Sequence, residues 1–504
     1  MKKLLITILC GLCSYAATAQ SGSKHLDSVA EDYFLHGISI LNELVAIPND
    51  SHFPEQLEKN IEWSRENFEK RGFKSETLET NGVPLLLLEK KSPQAKKTVL
   101  IYFHVDGQSV DPSKWNQESP YIPVLKKNDG SGWTAIPMET LQNAYDEEWR
   151  IFARSASDDK GPIAMFLTAW DALPMMNKHP DYNIKVILDF EEELGSPHLP
   201  LAVVKHKDKL KADMMLIMDG PRHQSNEPTL SFGARGISTI TLTVYGPKAP
   251  QHSGHYGNYA PNPALGIAQL LASMKDDNGR VSIPGYYDGI ELTSEEKAIL
   301  EQVPDDEKAI QKKLGIARKD NVGNTYQESI QYPSLNIRGL QSGYVGDEAR
   351  TIVPSEAIAE IDVRLVPESD PDRLFKLIKD HIKKRGYQII EKDPTDEERM
   401  QHPKMVKWEG KISYQAFRTP FDSEPGLWLD KAYRKAFGSS PVKIRMGGGS
   451  IPISPFVDAL GIPAVTVVTV NPDNNQHSPN ENIRLGNYKD GIKTMLAILT
   501  ESLD

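Results

Sequence analysis

Apolar and polar positions follow two regimes along this chain. Up to about residue 230, near-continuous apolar runs alternate with stretches of helical period. The runs are VPLLLLEKK (83–91), TVLIYFHVD (98–106), NIKVILDF (183–190) and MMLIMD (214–219). Runs of that length and purity suit strands covered on both faces. Between and before them, apolar residues recur at helical spacing. Residues 28–73 read as helical, with VAEDYFLHGISILNELVAIP (29–48) ending at Pro48 and QLEKNIEWSRENFEKRG (56–72) closing at Gly72. GPIAMFLTAWDAL (161–173) and LPLAVVKHKDKL (199–210) also read as helices. From Ser231 the pattern changes. GARGISTITLTVYG (233–246) alternates apolar and polar residues, as a half-solvated strand does.

Strands alternating with helices predict an α/β domain with a mostly parallel sheet flanked by helices. The second regime predicts a smaller α+β domain. In it, SLNIRGL (334–340), EAIAEIDVRLVP (356–367) and YQIIEKD (387–393) read as strands, while NPALGIAQLLASM (262–274) and DRLFKLIKDHIKKRG (372–386) read as helices. Residues 283–330 are charge-rich and read as a helical, loop-rich insertion. The first pattern returns with a helix at 426–438, a buried strand at 462–470 and a closing helix at 486–503. The predicted division is a catalytic domain in two parts, 20–231 and 422–504, with the smaller domain inserted at 232–421.

The first residues read as a secretory signal over 1–19. Lys2 and Lys3 form the basic start, Leu4–Leu12 a short apolar stretch, and Ala17-Thr18-Ala19 a cleavage site ahead of Gln20. The apolar stretch is too short to span a bilayer. The expected location is the periplasm or the exterior, with no membrane attachment after cleavage. Both cysteines, Cys10 and Cys13, fall inside this segment. A mature chain without cysteine has no disulfide and no thiolate ligand, so any metal site must be built from His, Asp and Glu. The net charge of −11 argues against a nucleic-acid partner, since phosphate binding needs a basic face.

Six residues of metal-binding type lie at or just past the ends of apolar runs: His104, Asp158, Glu192, Glu193, Asp219 and His477. Open α/β sheets gather ligands at the carboxyl ends of their strands, so these residues are expected to converge. Asp106 shares a face with His104 and can fix its tautomer. Asp159 suits the N-cap of the following helix, which leaves Asp158 for the site. Of the adjacent Glu192 and Glu193, one can bind metal while the other stays free as a base.

In order and wording these motifs resemble the M20 family of metallopeptidases, nearest its cytosolic nonspecific dipeptidase and carnosinase branch. The matching stretches are FHVD (103–106), SDDKGP (157–162), EEELGS (191–196), MDG (218–220), QHSGHYG (251–257), RLVP (364–367), GGSIP (448–452) and QHSPNE (476–481). The resemblance implies two zinc ions, or another divalent pair such as manganese. Asp158 would bridge them, with His104 and Asp219 on one and Glu193 and His477 on the other. It implies Glu192 as general base, Asp106 as the partner of His104, and a cis peptide between Asp158 and Asp159. It also implies a homodimer through the inserted domain and a small peptide substrate. His252 would stabilise the oxyanion in the other subunit's site, Arg364 would bind the substrate's carboxylate, and Ser450 would lie against its backbone. Three features depart from the branch: Pro250 stands where an Asp is usual, no substrate-binding His is evident in QAFRTPFDSEPG (415–426), and the 283–330 insertion differs. An N-acyl-amino-acid deacylase using the same site is the alternative activity.

Overall fold

The computed structural model describes residues 23–93, 95–449 and 451–503. The Met1–Ala19 signal therefore lies outside the described residues, and so does Ser450. The chain forms two compact units. One comprises the residues up to Gly233, Arg418–Arg445 and Pro455 onward; the other comprises Ala234–Phe417 and Met446–Ser454.

The first unit is built on an eight-stranded sheet. Its order is Lys74–Leu78, Leu85–Lys90, Asn183–Asp189, Thr98–His104, Met214–Ile217, Ala464–Val468, Thr229–Ser231, Val442–Ile444. The four central strands, from Asn183–Asp189 to Ala464–Val468, run parallel. The two strands at the Lys74 edge pair antiparallel, and so do Ala464–Val468 and Thr229–Ser231. The near-continuous apolar runs form the centre: Val99, Leu100, Tyr102, Phe103, Val186, Ile187, Leu188 and Met214–Ile217 have essentially no exposure. The expected helical stretch at 28–73 is interrupted. Residues 23–32 are helical, Tyr33 is a turn, and helices Phe34–Val45 and Pro54–Glu69 follow.

The helix Lys160–Met176 packs against Phe34–Val45 and the C-terminal helix Leu485–Thr500. Two features fix where it starts. A Cβ on Gly161 would lie 2.2 Å from the Ala156 carbonyl oxygen, so the turn before it closes only on glycine. Buried Lys160 donates to the carbonyls of Leu44 (3.0 Å) and Ile47 (2.6 Å), at and just past the end of the helix Phe34–Val45. Burial holds its ammonium well below the ordinary lysine range.

The second unit is a five-stranded sheet in the order Asn336–Gln341, Glu356–Leu365, Gly236–Tyr245, Met405–Tyr414, Gln388–Ile390. All its pairs are antiparallel except the last. Glu356–Leu365 alternates strictly, with Ala357, Ala359, Ile361, Val363 and Leu365 buried. These residues share a core with Ile267, Leu270 and Leu271 of helix Pro263–Ala272 and with Leu374, Ile378 and Ile382 of helix Pro371–Lys384. The strand Met405–Tyr414 escapes the sequence reading because only Met405, Val406 and Trp408 are buried, and the rest is mostly polar and at least partly exposed.

Candidate metal centre

The parallel register sets His104 opposite Asp189 and Tyr102 opposite Ile217. His104, the Asp189–Glu193 turn and Asp219 therefore emerge together at one edge of the sheet. Two further loops reach that edge. One precedes the helix Lys160–Met176 and carries Asp158. The other follows Ala464–Val468 and carries His477, whose φ of 60° is left-handed, like those of Asn475 and Asn480. Ligand atoms of His104, Asp158 and Asp219 lie within 4.8 Å of one another, and so do those of Asp158, Glu193 and His477. Asp158 belongs to both groups. His104 Nε2 is 3.0 Å from Asp158 Oδ1, while His477 Nε2 is 3.0 Å from Asp158 Oδ2 and 3.3 Å from Glu193 Oε2. His104 is fully buried, whereas the His477 side chain is half exposed, so within this unit the centre is closed at one end and open at the other.

Asp106 does more than face His104. Its Oδ1 lies 3.5 Å from His104 Nδ1, and its two oxygens accept the backbone N–H groups of Glu192 (3.1 Å) and Glu193 (3.0 Å). One buried carboxylate thus fixes a histidine and the acidic pair together. Asp159 corrects the sequence expectation. It occupies the N-cap position but makes no side-chain cap; its carboxylate accepts the His104 N–H instead. The Asp158–Asp159 peptide is cis.

Three supporting residues had no role assigned from sequence. Buried Glu481 accepts the N–H groups of Ser155, Ser157 and Asp158 and pairs with Arg154 at 2.6 Å, so it holds the whole Asp158 loop. Gln108 donates to Glu193 at 2.8 Å. Asp189 accepts from Ser196 and Tyr102 and ties the acidic turn to the sheet. Glu481 lies inside the QHSPNE stretch, four residues after His477. Only tertiary contacts separate a loop-tying carboxylate from a ligand.

The electrostatics of the cluster call for a cation. Burial, reinforced by the Asp158 charge, pushes Glu193 up to about 7. Burial and Asp158 likewise raise Asp219 to about 6. Glu192 is pushed well above its ordinary value by burial, and the Asp219, Glu193 and Asp158 carboxylates add to that. The bond to Asp158 raises His477 to about 9. Burial acts to lower His104, but Asp106 and Asp158 overcome it and hold the imidazole well above its usual range. These acids give up their protons at higher pH than free carboxylates because burial and one another's charge disfavour the ionised form. Divalent cations would replace those protons, and the donors, all carboxylate oxygen or imidazole nitrogen, suit zinc or manganese. The residues fit a two-metal site.

The cis peptide, the shared aspartate and the sheet-edge placement can be set beside known proteins. Residues 232–389 match the M20 peptidase dimerisation domain. The chain is 28% identical to the Cys-Gly metallodipeptidase dug1 of Schizosaccharomyces pombe, over 83% of this chain and 82% of that protein. This chain is a peptidase hydrolase carrying an M20 dimerisation domain. It is 27% identical to the human Beta-Ala-His dipeptidase, over 83% of this chain and 77% of that one. Among solved structures, the M20 family metallo-carboxypeptidase Sso-CP2 of Sulfolobus solfataricus superposes with a TM-score of 0.74 at 28% identity, over 92% of this chain and 98% of that chain. Human carnosine dipeptidase 1 shares the fold at TM-score 0.71 and 24% identity, over 96% and 98%.

Two of the expected substrate-binding residues are among the described residues. His252 and Arg364 belong to the second unit. His252 is exposed, and its Nδ1 accepts the Gly254 N–H at 3.0 Å. Arg364 lies on the strand Glu356–Leu365, with its Nε 3.8 Å from Asp362.

Proposed function

We propose that this peptidase is an exported dipeptidase that holds two divalent ions and uses Glu192 as its general base. The observation that carries the reading is the pair of ligand groups sharing Asp158. His104, Asp158 and Asp219 would hold one ion, and Asp158, Glu193 and His477 the other. Ions held there would supply the positive charge that polarises a peptide carbonyl and makes water acidic near neutral pH. The Glu192 carboxylate belongs to neither group, and Asp106 fixes its backbone. It takes the proton of the attacking water and returns it to the leaving amine, the usual division of labour for a single base. Arg364 would bind the substrate's C-terminal carboxylate through its planar fork, and Ser450 would meet the substrate backbone. His252 would serve the oxyanion across a homodimer. The deacylase alternative is less favoured, because the relatives at 27–28% identity are dipeptidases.

The test is metal content and turnover on a panel of dipeptides and N-acyl amino acids. The purified protein is expected to hold two divalent ions per chain and to cleave dipeptides in preference. A chelator should abolish turnover, and the chelated protein should melt at a lower temperature, because ions that bind only the folded chain stabilise it. A protein that binds no divalent ion with all six residues intact would end this reading. Export predicts that protein recovered from outside the cytoplasm begins at Gln20; a retained Met1–Ala19 segment would contradict it. His252→Ala is expected to lower kcat about 10²–10³-fold, the scale of a lost oxyanion donor, with both ions kept. Unchanged kcat would remove His252 from the reaction.

A further inference from the structure

Residues 49–52 run beside the chain that leaves the strand Thr98–His104, and both lie within the first unit. Asp50 forms a parallel bridge with Gly107, and the Gly107 N–H donates to the Asn49 carbonyl at 2.9 Å. Gly107 separates Asp106, which faces His104, from Gln108, which donates to Glu193. Ser109 comes next, and its hydroxyl lies 3.4 Å from His52 Nδ1. Tyr121 makes a second link to the centre. Burial and the Asp50 charge push its phenol up to about 12, with Arg154 opposing and Glu481 adding. Arg154 and Glu481 are the pair that holds the Asp158 loop. Asp50 and His52 are thus tied from two sides to the group of Asp158, Glu193 and His477, the group whose histidine is half exposed.

Asp50 and His52 form a dyad. Asp50 Oδ1 accepts the His52 backbone N–H at 3.0 Å and the ring Nδ1–H at 2.8 Å. The backbone bond is what an aspartate turn requires. The ring bond is extra, and it sets the tautomer: the proton sits on Nδ1, and Nε2 is left as an acceptor. Nε2 makes no hydrogen bond among the described residues. The His52 side chain is 61% exposed, whereas that of Asp50 is 9% exposed. Burial alone would raise Asp50, but the bonds from Ser109 and His52 outweigh it and hold the carboxylate below its ordinary range. Asp50 is therefore ionised at neutral pH, and no Lys or Arg among the described residues pairs with it. The dyad presents one negative charge and one open acceptor to solvent, a combination that suits an ammonium.

We propose that His52, backed by Asp50, accepts a hydrogen bond from the free amino-terminal ammonium of the peptide and so selects peptides with a free amine over N-acylated ones. This rests on the dipeptidase reading above. The ammonium is the cation that a dipeptide brings to the Asp158, Glu193 and His477 group. An acylated nitrogen carries no charge, so it loses the attraction and leaves the Asp50 charge unanswered.

The experiment has two readouts on the metal-loaded protein: kcat/KM for alanyl-alanine against N-acetyl-alanyl-alanine, and calorimetric binding of the same two peptides in the Glu192→Gln background. The expected result is a preference of about tenfold or more for the free amine in both, the scale of one charge-assisted hydrogen bond. His52→Phe should bring both ratios towards one, chiefly by raising KM for alanyl-alanine. His52→Gln, whose amide oxygen is again an acceptor, should restore part of the preference, which a loss of packing alone would not do. Equal treatment of the two peptides by the wild-type residue, or ratios that His52→Phe does not move, would overturn the proposal. No turnover of either peptide, with a binding preference that His52→Phe removes, would overturn the dipeptidase reading and leave the ammonium site standing.

Discussion

Glu192→Gln is expected to bind two ions as the wild type does and to lose about 10²–10⁴ in kcat on its best dipeptide. The variant keeps the size and shape of the side chain, and Asp106 bonds only to the backbone N–H of residue 192, so the turn should hold. Neither ligand group uses the Glu192 carboxylate, so metal should stay. What is lost is the proton acceptor. KM should change little, because the carboxamide still fills the site without taking a proton. Metal analysis, a thermal melt and steady-state kinetics check the prediction together. A fully active variant would remove Glu192 as base, and a variant that loses metal would make it a ligand.

Asp158→Ala is expected to have the larger effect. Both ligand groups contain Asp158, so its removal takes a donor from each and should bring metal content well below two ions per chain. Turnover should fall at least as far as in Glu192→Gln. His477 would lose the carboxylate that chiefly raises it, and His104 would lose one of those that raise it, Asp106 remaining. The fold should survive, because the loop is held through Glu481, which accepts backbone N–H groups at Ser155, Ser157 and residue 158, and these remain. Full retention of both ions would exclude Asp158 as a shared ligand. Asp219→Ala provides a contrast, because it removes a donor from one group alone and should spare the other ion.

Some of this architecture was legible in the residues themselves. Strands buried on both faces must be apolar throughout, so the centre of the eight-stranded sheet stands out as TVLIYFH, NIKVILD and MMLI. Acids and histidines at the ends of such strands are conspicuous, because charge there needs a partner. The short strands Thr229–Ser231 and Val442–Ile444, at the far side of the sheet, carried no such mark, with three residues each and little periodicity. The sequence also left Asp106 as the neighbour of one histidine, since its bonds to Glu192 and Glu193 join positions 86 and 87 residues apart.

By itself, then, the chain determined which side chains were available: imidazole and carboxylate, with both cysteines among the first thirteen residues, and the donors placed after apolar runs whose burial is set by composition. Those are local properties, and burial of apolar area acts on each run wherever its neighbours come from. The tertiary structure decided how the donors divide. Parallel register brings His104 and Asp219 to one edge, and two loops carry Asp158 and His477 across it, which makes Asp158 common to both groups and leaves Glu192 outside them. Distances between residues hundreds of positions apart follow from sheet order and loop packing, and no local pattern encodes them.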